Sequence, residues 1–225
     1  MREMKDTSHL AKELRERDFE VVAPDLPNHD SGASLLDHTA TVESALRQSG
    51  SDVVVVAHSG GGLVLPLVAN LRPVRKLIGL SAILPVPDLA WVNDEMPPME
   101  ASDAALPRLV YRVDGGQSVM DPDAAVRRFF HDVPADVCEY AIQHLKPQSS
   151  AVFEEPSPMV NWPDVATAYI VCGADRSLAP SWQRMMSRQR AGVEPVEMSA
   201  VGHSPFYSRP GPLAALLETL VRERV

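Results

Sequence analysis

Three residues of types used in nucleophilic catalysis each follow a predicted strand: Ser59, Asp175 and His203. Ser59 ends the run VVVVAHS, Asp175 ends YIVCGAD, and His203 lies in EMSAVGHS. A serine hydroxyl becomes an effective nucleophile when a histidine takes its proton and a carboxylate orients that histidine. Taken alone, each residue also fits an ordinary role: a glycine turn before a helix, a helix cap and a loop histidine. Their common position after strands, in the order Ser-Asp-His, predicts a catalytic triad.

The neighbours of Ser59 suit a sharp turn from a strand into a helix. Ala57 and Gly61 lie two residues to either side, and such a strained turn tolerates only small residues there. The turn lifts the hydroxyl clear of the sheet and places it at a helix N-terminus, where the dipole favours developing negative charge. We expect the N–H of Gly60 to donate a hydrogen bond to the oxyanion. His58 is interpreted as a structural residue at the end of the strand.

The elements that must hold these residues alternate between helices and strands. Helix signals occur at 8–18, 34–50, 60–71, 180–192 and 210–225, and apolar runs that predict strands occur at 19–27, 52–59, 74–85, 166–175 and 193–204. This alternation predicts an α/β fold: a mainly parallel sheet with helices on both faces. The continuously apolar run at 52–59 predicts a buried central strand. The carboxyl ends of parallel strands meet at one edge of a sheet, so the three candidate residues are expected to converge there.

Residues 86–160 interrupt the alternation. They are rich in Pro and Asp and contain two helical stretches, 123–133 and 135–145. Because strand-helix order resumes afterwards, we predict a helical cap insertion at about 86–160 within a single domain, 1–225. His131 and Asp132 are expected to cap and solvate a helix in this segment.

Several large apolar side chains are candidates to line a substrate pocket, since such pockets are mostly apolar. They are Trp91, Met96, Met99, Met120 and Phe206. Packing in the core or on the surface is the alternative for each of them.

The composition narrows the class of partner. The net charge of −9 argues against nucleic acid and anionic membranes, which both attract basic proteins. The two cysteines show no C-x-x-C spacing, which indicates neither a disulfide framework nor a zinc site. The charged N-terminus has no apolar core, so no signal peptide is expected in it, and no run approaches the roughly 20 apolar residues of a membrane span. We therefore expect a cytoplasmic enzyme for a small molecule, with no metal and no cofactor, and its oligomeric state stays open.

Six segments together resemble the α/β-hydrolase superfamily, and within it the branch of plant methylesterases, hydroxynitrile lyases and their bacterial esterase relatives. They are VVAPDLP, VVVVAHSGGG, LSAILPVP, FFHDVPADV, YIVCGADRSLAPSWQ and GHSPFYSRP. The resemblance covers nearly all of the chain from about Phe19 onward. It implies the α/β-hydrolase fold with a cap, and it puts Ser59, Asp175 and His203 at the positions of the family's triad. The implied function is cleavage of a small carboxylic ester through an acyl-enzyme intermediate.

The chain departs from this branch at two points. The lyases of the branch carry a lysine directly after the catalytic histidine, whereas Ser204 stands here, which counts against the lyase alternative. The resemblance also implies a strand and an H-G loop before the first helix, and MREMKDTSH has neither. We expect either a start codon placed downstream of the true one or a truncated relative whose first strand is missing. The strands predicted at 19–27 and 52–59 must then pair directly or leave a slot between them.

The missing loop would supply the second oxyanion N–H, and loss of one such donor costs about 10²–10³ in rate. The alternative function is therefore a catalytically impaired or non-catalytic homologue that binds a small molecule.

Overall fold

A parallel sheet forms the centre of the computed structural model, which describes residues 9–94, 111–114 and 117–223. The strands are β1 (Val54–His58), β2 (Lys76–Leu80), β3 (Tyr111–Asp114), β4 (Gln117–Met120), β5 (Gln148–Ser149), β6 (Thr167–Cys172) and β7 (Val196–Met198). The main sheet has the order β1-β2-β6-β7 with every neighbouring pair parallel, and β3, β4 and β5 form a small antiparallel sheet. His58 pairs with Leu80 and Leu80 with Ile170, so the carboxyl ends of β1, β2 and β6 lie side by side.

The helices begin where the local sequence allows a helix to start. They are α1 (His9–Arg15), α2 (Leu35–Ala45), α3 (Leu65–Leu71), α4 (Pro122–Phe129), α5 (Ala135–Gln143), α6 (Ala151–Glu154), α7 (Pro180–Gln189), α8 (Pro205–Ser208) and α9 (Pro210–Arg222). Proline occupies one of the first two positions of α3, α4, α7, α8 and α9, where its missing N–H leaves no hydrogen bond unmade. α2 begins instead with a capping box between Ser34 and Asp37.

Alternating side chains of β6 divide the core between the two faces of the sheet. Ile170 and Cys172 pack with residues of α1 and α9 on one face. Tyr169 and Val171 pack with residues of α2, α3 and α7 on the other face. Helices therefore cover both faces, and the predicted α/β fold class is confirmed.

β1 was predicted to be a buried central strand, and that prediction is wrong. Among the described residues β1 pairs with β2 alone, and the Val56 side chain is 42% exposed. The strand predicted at 19–27 is also wrong, because residues 19–26 have no regular secondary structure. A strand exists only through hydrogen bonds to a neighbour, and these residues do not pair with β1. Of the two outcomes expected for 19–27 and 52–59, direct pairing does not occur.

The helices predicted at 123–133 and 135–145 are present as α4 and α5. They pack together through an apolar cluster that includes Ala125, Phe130 and Ala141. Isolated β-bridges join Pro87 to Ser157 and Ala90 to Pro156. The two ends of the connection from β2 to β6 therefore lie next to each other.

Candidate active site

Ser59 occupies the corner between β1 and the short 3₁₀ turn Ser59–Leu63 that leads to α3. Its φ is +51°, in the left-handed region that residues other than glycine rarely adopt. The Ile83 N–H donates to the Ser59 carbonyl at 2.9 Å and ties the corner to the end of β2. A Cβ at Gly62 would lie 2.4 Å from the Ile83 carbonyl oxygen, so this close approach requires glycine. The sharp turn expected at Ser59 is present.

His203 links Ser59 to Asp175. Its Nε2 lies 3.1 Å from Ser59 Oγ, and its Nδ1 lies 2.7 Å from Asp175 Oδ2. Asp175 follows β6 and His203 follows β7, so strand ends at one edge of the sheet bring the three residues together. Asp175 and His203 are buried, whereas Ser59 is partly exposed. In this geometry a proton can pass from the serine to the imidazole while the carboxylate fixes the imidazole tautomer.

The Asp175 carboxylate is held in its ionised form. Its Oδ1 accepts hydrogen bonds from the N–H groups of Ser177 and Leu178 at 2.7 and 2.9 Å. Burial alone would raise the pKa of Asp175, but the facing His203 and hydrogen bonds from His203, Ser81 and Leu178 outweigh burial. The pKa of the carboxyl therefore lies below its ordinary value, and the group can stabilise a positive charge on His203.

Two further residues, Ser81 and Gln183, hold the same carboxylate, and the sequence analysis missed both. Ser81 follows β2 with φ +43°; its hydroxyl donates to Asp175 Oδ2 and lies 3.3 Å from His203 Nδ1. The buried Gln183 of α7 donates from Nε2 to Asp175 Oδ2 at 2.9 Å and accepts from the Cys172 N–H at 3.0 Å. A serine after a strand and a glutamine in an amphipathic helix carry no local signal that distinguishes them.

His58 anchors the main chain of His203. Its Nε2 lies 2.8 Å from the His203 carbonyl oxygen, and since a carbonyl only accepts, Nε2 carries the proton. Its ring also packs against the rings of His203 and Phe206, with centroids 4.6 and 4.9 Å apart. Burial, and next the nearby His203, lower the pKa of His58 to about 3, so its imidazole is neutral at pH 7. This contact fits the structural interpretation of His58.

Aromatic side chains surround the Ser59 corner. A Cβ at Gly60 would lie 2.8 Å from Phe153 Cζ, so the α6 phenylalanine packs directly on the Gly60 main chain. The Trp91 ring lies 5.2 Å from the Phe153 ring, and the Phe129 ring of α4 lies 5.0 Å from the His203 ring. Phe129 and Phe153 were not predicted, and an aromatic residue in a helix has no sequence signal that separates a pocket wall from core packing.

The other candidate lining residues have different surroundings. Met120 packs in the apolar cluster between α4 and α5. Phe206 packs against His58 and the core beneath α9. Met96 and Met99 lie outside the described residues.

Both cysteine thiols are free, and burial raises the pKa of Cys138 and of Cys172, so neither thiol is activated as a nucleophile. Within residues 9–94, 111–114 and 117–223, no group of three or more His, Cys, Asp or Glu side chains could hold a metal ion. In the same ranges no helix has the length and apolar character needed to cross a membrane.

The chain matches a family model and several known proteins. Residues 3–216 match the model described as the alpha/beta hydrolase family. A pyrethroid hydrolase from Sphingobium wenxiniae is 29% identical over 217 residues, which are 89% of this chain and 77% of that protein. Methyl jasmonate esterase 1 from Vitis vinifera is 24% identical over 188 residues, or 77% of this chain and 71% of that protein.

Solved structures agree with these matches. The crystal structure of a pyrethroid hydrolase from Sphingobium faniae superposes with a TM-score of 0.79 at 25% identity, over 94% of this chain and 90% of that chain. These relatives are named as hydrolases or esterases, and the predicted enzyme class, a hydrolase, is confirmed. Because the family model matches most of its length, this chain belongs to the alpha/beta hydrolase family, as the resemblance implied.

Proposed function

We propose that this chain is a serine hydrolase that cleaves a small carboxylic ester through an acyl-enzyme intermediate. The observation that carries the proposal is the position of His203, which contacts the Ser59 hydroxyl with one ring nitrogen and the Asp175 carboxylate with the other. The names of the relatives, one of them an esterase, support an ester as the substrate.

In the first half of the reaction, Ser59 Oγ attacks the ester carbonyl carbon while His203 Nε2 takes the hydroxyl proton. Asp175 stabilises the imidazolium that results. The carbonyl oxygen becomes an oxyanion, which accepts a hydrogen bond from the Gly60 N–H. When this tetrahedral intermediate collapses, His203 returns the proton to the departing alkoxide, and the acyl group stays on Ser59.

In the second half, water replaces the alcohol. His203 takes a proton from the water as its oxygen attacks the acyl carbon. Collapse of the second intermediate breaks the bond to Ser59 Oγ, which regains its proton from His203. One ester and one water thus give one carboxylic acid and one alcohol.

We also propose that residues 86–160 form a cap within a single domain. The side-by-side ends of this segment support an insertion. Phe129 and Phe153 come from its helices and pack beside His203 and Gly60. These aromatic faces favour a substrate with an apolar acyl or alcohol group. The cytoplasmic location expected from the sequence stays a prediction.

The test uses a fluorophosphonate probe together with p-nitrophenyl esters of increasing acyl length. We expect the probe to label the wild-type protein, and Ser59→Ala to abolish labelling and lower kcat by about 10⁴-fold or more. Ser51→Ala, which removes an exposed serine hydroxyl just before β1, is the matched control and should label like the wild type.

Two results would contradict the proposal. A folded wild-type protein that is not labelled, and whose ester turnover equals that of Ser59→Ala, would indicate a non-catalytic homologue that binds a small molecule. Cleavage of a cyanohydrin without ester turnover would indicate a lyase, against which the buried Ser204 beside His203 counts.

A further inference from the structure

We propose that His131 and Asp132, which follow the C-cap Phe130 of α4, are positioning residues that hold the two loops of the triad at a fixed separation. The acid loop, residues 173–178, carries Asp175, and the histidine loop, residues 199–204, carries His203. This proposal rests on the proposed function and adds residues to it. It also corrects the expectation that the pair caps and solvates a helix, because both residues are partly buried against the main sheet's loops.

The first set of contacts holds the acid loop. His131 Nε2 lies 3.0 Å from the Ala174 carbonyl oxygen and donates to it, since a carbonyl only accepts. The buried Arg128 of α4 donates from Nη1 to the Arg176 carbonyl oxygen at 3.2 Å. The carbonyl groups of Ala174 and Arg176, on either side of Asp175, therefore both accept hydrogen bonds from side chains of residues 128–131.

The second set of contacts holds the histidine loop. The Gly202 N–H donates to Asp132 Oδ2 at 2.8 Å, directly before His203. A Cβ at Gly202 would lie 2.4 Å from Asp132 Oδ1 and 2.8 Å from His131 Nε2. A glycine at 202 is thus what allows the pair to approach the main chain so closely. Phe129 adds a ring contact to His203 from the same stretch.

These contacts act together with those of Ser81, Gln183 and His58 to fix the separation of Asp175 and His203. The two loops also bond to each other, through Ala174 N–H to the Val201 carbonyl at 3.0 Å. His131 and Asp132 bind the main chain beside that bond, at Ala174 and at Gly202. A displacement of about 1 Å costs on the order of 100-fold in rate, so slack in either loop should reduce catalysis more than binding.

The first test compares Asp132→Ala with Asp132→Asn. We expect Asp132→Ala to lower kcat by about 10- to 100-fold with KM changed by less than about threefold. Asp132→Asn should restore most of kcat, because its amide oxygen can accept the Gly202 N–H. Asp123→Ala removes an exposed carboxylate from α4 and is the matched control, with kinetics like the wild type. Circular dichroism and the melting temperature establish that each variant is folded at the assay temperature.

A spectroscopic measurement reads the position of His203 without turnover. The His203 Nδ1–H, bound to Asp175, should give a far-downfield proton NMR signal that is absent from His203→Ala. We expect Asp132→Ala to shift or broaden this signal and Asp123→Ala to leave it unchanged. If the wild type shows the signal but no ester turnover above Ser59→Ala, the proposed function fails while the positioning role is still tested.

The proposal is overturned if Asp132→Ala keeps the wild-type kcat and the wild-type signal, or if Asp132→Asn loses as much activity as Asp132→Ala. Should Asp132→Ala not fold, the pair His131→Gln and His131→Phe gives the same comparison, since glutamine keeps a donor for Ala174 and phenylalanine does not. Equal kcat and equal signals for those two variants would then overturn it.

Discussion

Three side chains contact His203, each at a different atom. Asp175 binds Nδ1, Ser59 lies at Nε2, and His58 donates to the carbonyl of its main chain. His58 and His203 therefore have different roles, although their rings are in contact: His203 contacts the Ser59 hydroxyl, and His58 binds the main chain of His203. The neutral form of His58 is built into the fold because protonation would place a charge on a desolvated ring beside His203.

This difference predicts how stability depends on pH. The pKa of His58 is about 3 when folded and about 6.5 when unfolded, so below pH 6.5 the unfolded chain binds a proton that the native protein does not. The contribution of His58 to the free energy of unfolding is full above pH 6.5 and declines towards pH 3. Over the whole range the decline is on the order of 5 kcal/mol, since each unit of pKa difference corresponds to about 1.4 kcal/mol.

His58→Gln keeps an N–H donor for the His203 carbonyl but cannot titrate. Urea unfolding at pH 7.5 and pH 4.5 should show a wild-type advantage that shrinks at the lower pH. An advantage of the same size at both values would contradict the assignment of a neutral, desolvated imidazole.

At the scale of the elements, an ion pair ties α7 to the segment that follows β2. Arg190 donates to the Leu84 carbonyl at 2.6 Å and to both Asp94 oxygens at 2.7 and 2.8 Å. The Arg190 and Asp94 side chains are 12% and 10% exposed, so if either were removed, water could solvate the remaining charge only poorly. The end of α7 is thereby fixed relative to the Trp91–Asn93 turn beside the aromatic pocket wall.

Removing one partner of this pair should be more harmful than removing both. Arg190→Ala leaves the Asp94 carboxylate poorly solvated, and we expect a loss of about 3 kcal/mol in the free energy of unfolding. Arg190→Ala combined with Asp94→Ala should recover part of that loss. A double-mutant cycle by urea unfolding measures the coupling, and strictly additive effects would show that the pair contributes nothing.

The elements that the sequence predicts well are those whose signals are local. α2 has its Ser34 capping box, and β2 and β6 are apolar runs bounded by turn residues. Local sequence could not establish whether residues 19–27 form a strand, because an extended apolar run becomes a strand only if a partner strand lies beside it.

The same reasoning applies to the site. The predicted Ser59, Asp175 and His203 follow strand ends, which a sequence pattern can locate. Asp132 reaches Gly202 across 70 residues of chain, and Ser81 reaches Asp175 across 94. Contacts at such separation leave no periodicity or spacing in the sequence, so these supporting residues appear only in the folded chain.

At the scale of the whole molecule, the main sheet presents an edge at β1 within the residues that the structure describes. Val56 on this strand is 42% exposed. An exposed apolar edge strand can pair with another chain, and natural proteins discourage this with lysine. The net charge of −9 opposes such association by general repulsion.

We therefore expect Val56→Lys to reduce aggregation on heating, measured by light scattering at a temperature below the unfolding midpoint. Val160→Lys is the matched control, since Val160 is 77% exposed but belongs to no strand. Equal scattering from the two variants would show that the β1 edge is not where association begins.

Because Ser59 has a left-handed backbone conformation, the residue that would give the highest stability at this position differs from the residue that activity requires. Glycine adopts a φ of +51° without steric conflict, whereas alanine does not. Ser59→Gly should therefore exceed Ser59→Ala in free energy of unfolding by about 0.5–1 kcal/mol, measured by thermal unfolding, although both lack the hydroxyl. Equal stabilities would mean that the corner is relaxed. Laboratory evolution for heat resistance alone should consequently drift towards glycine at position 59, and so erase the proposed nucleophile.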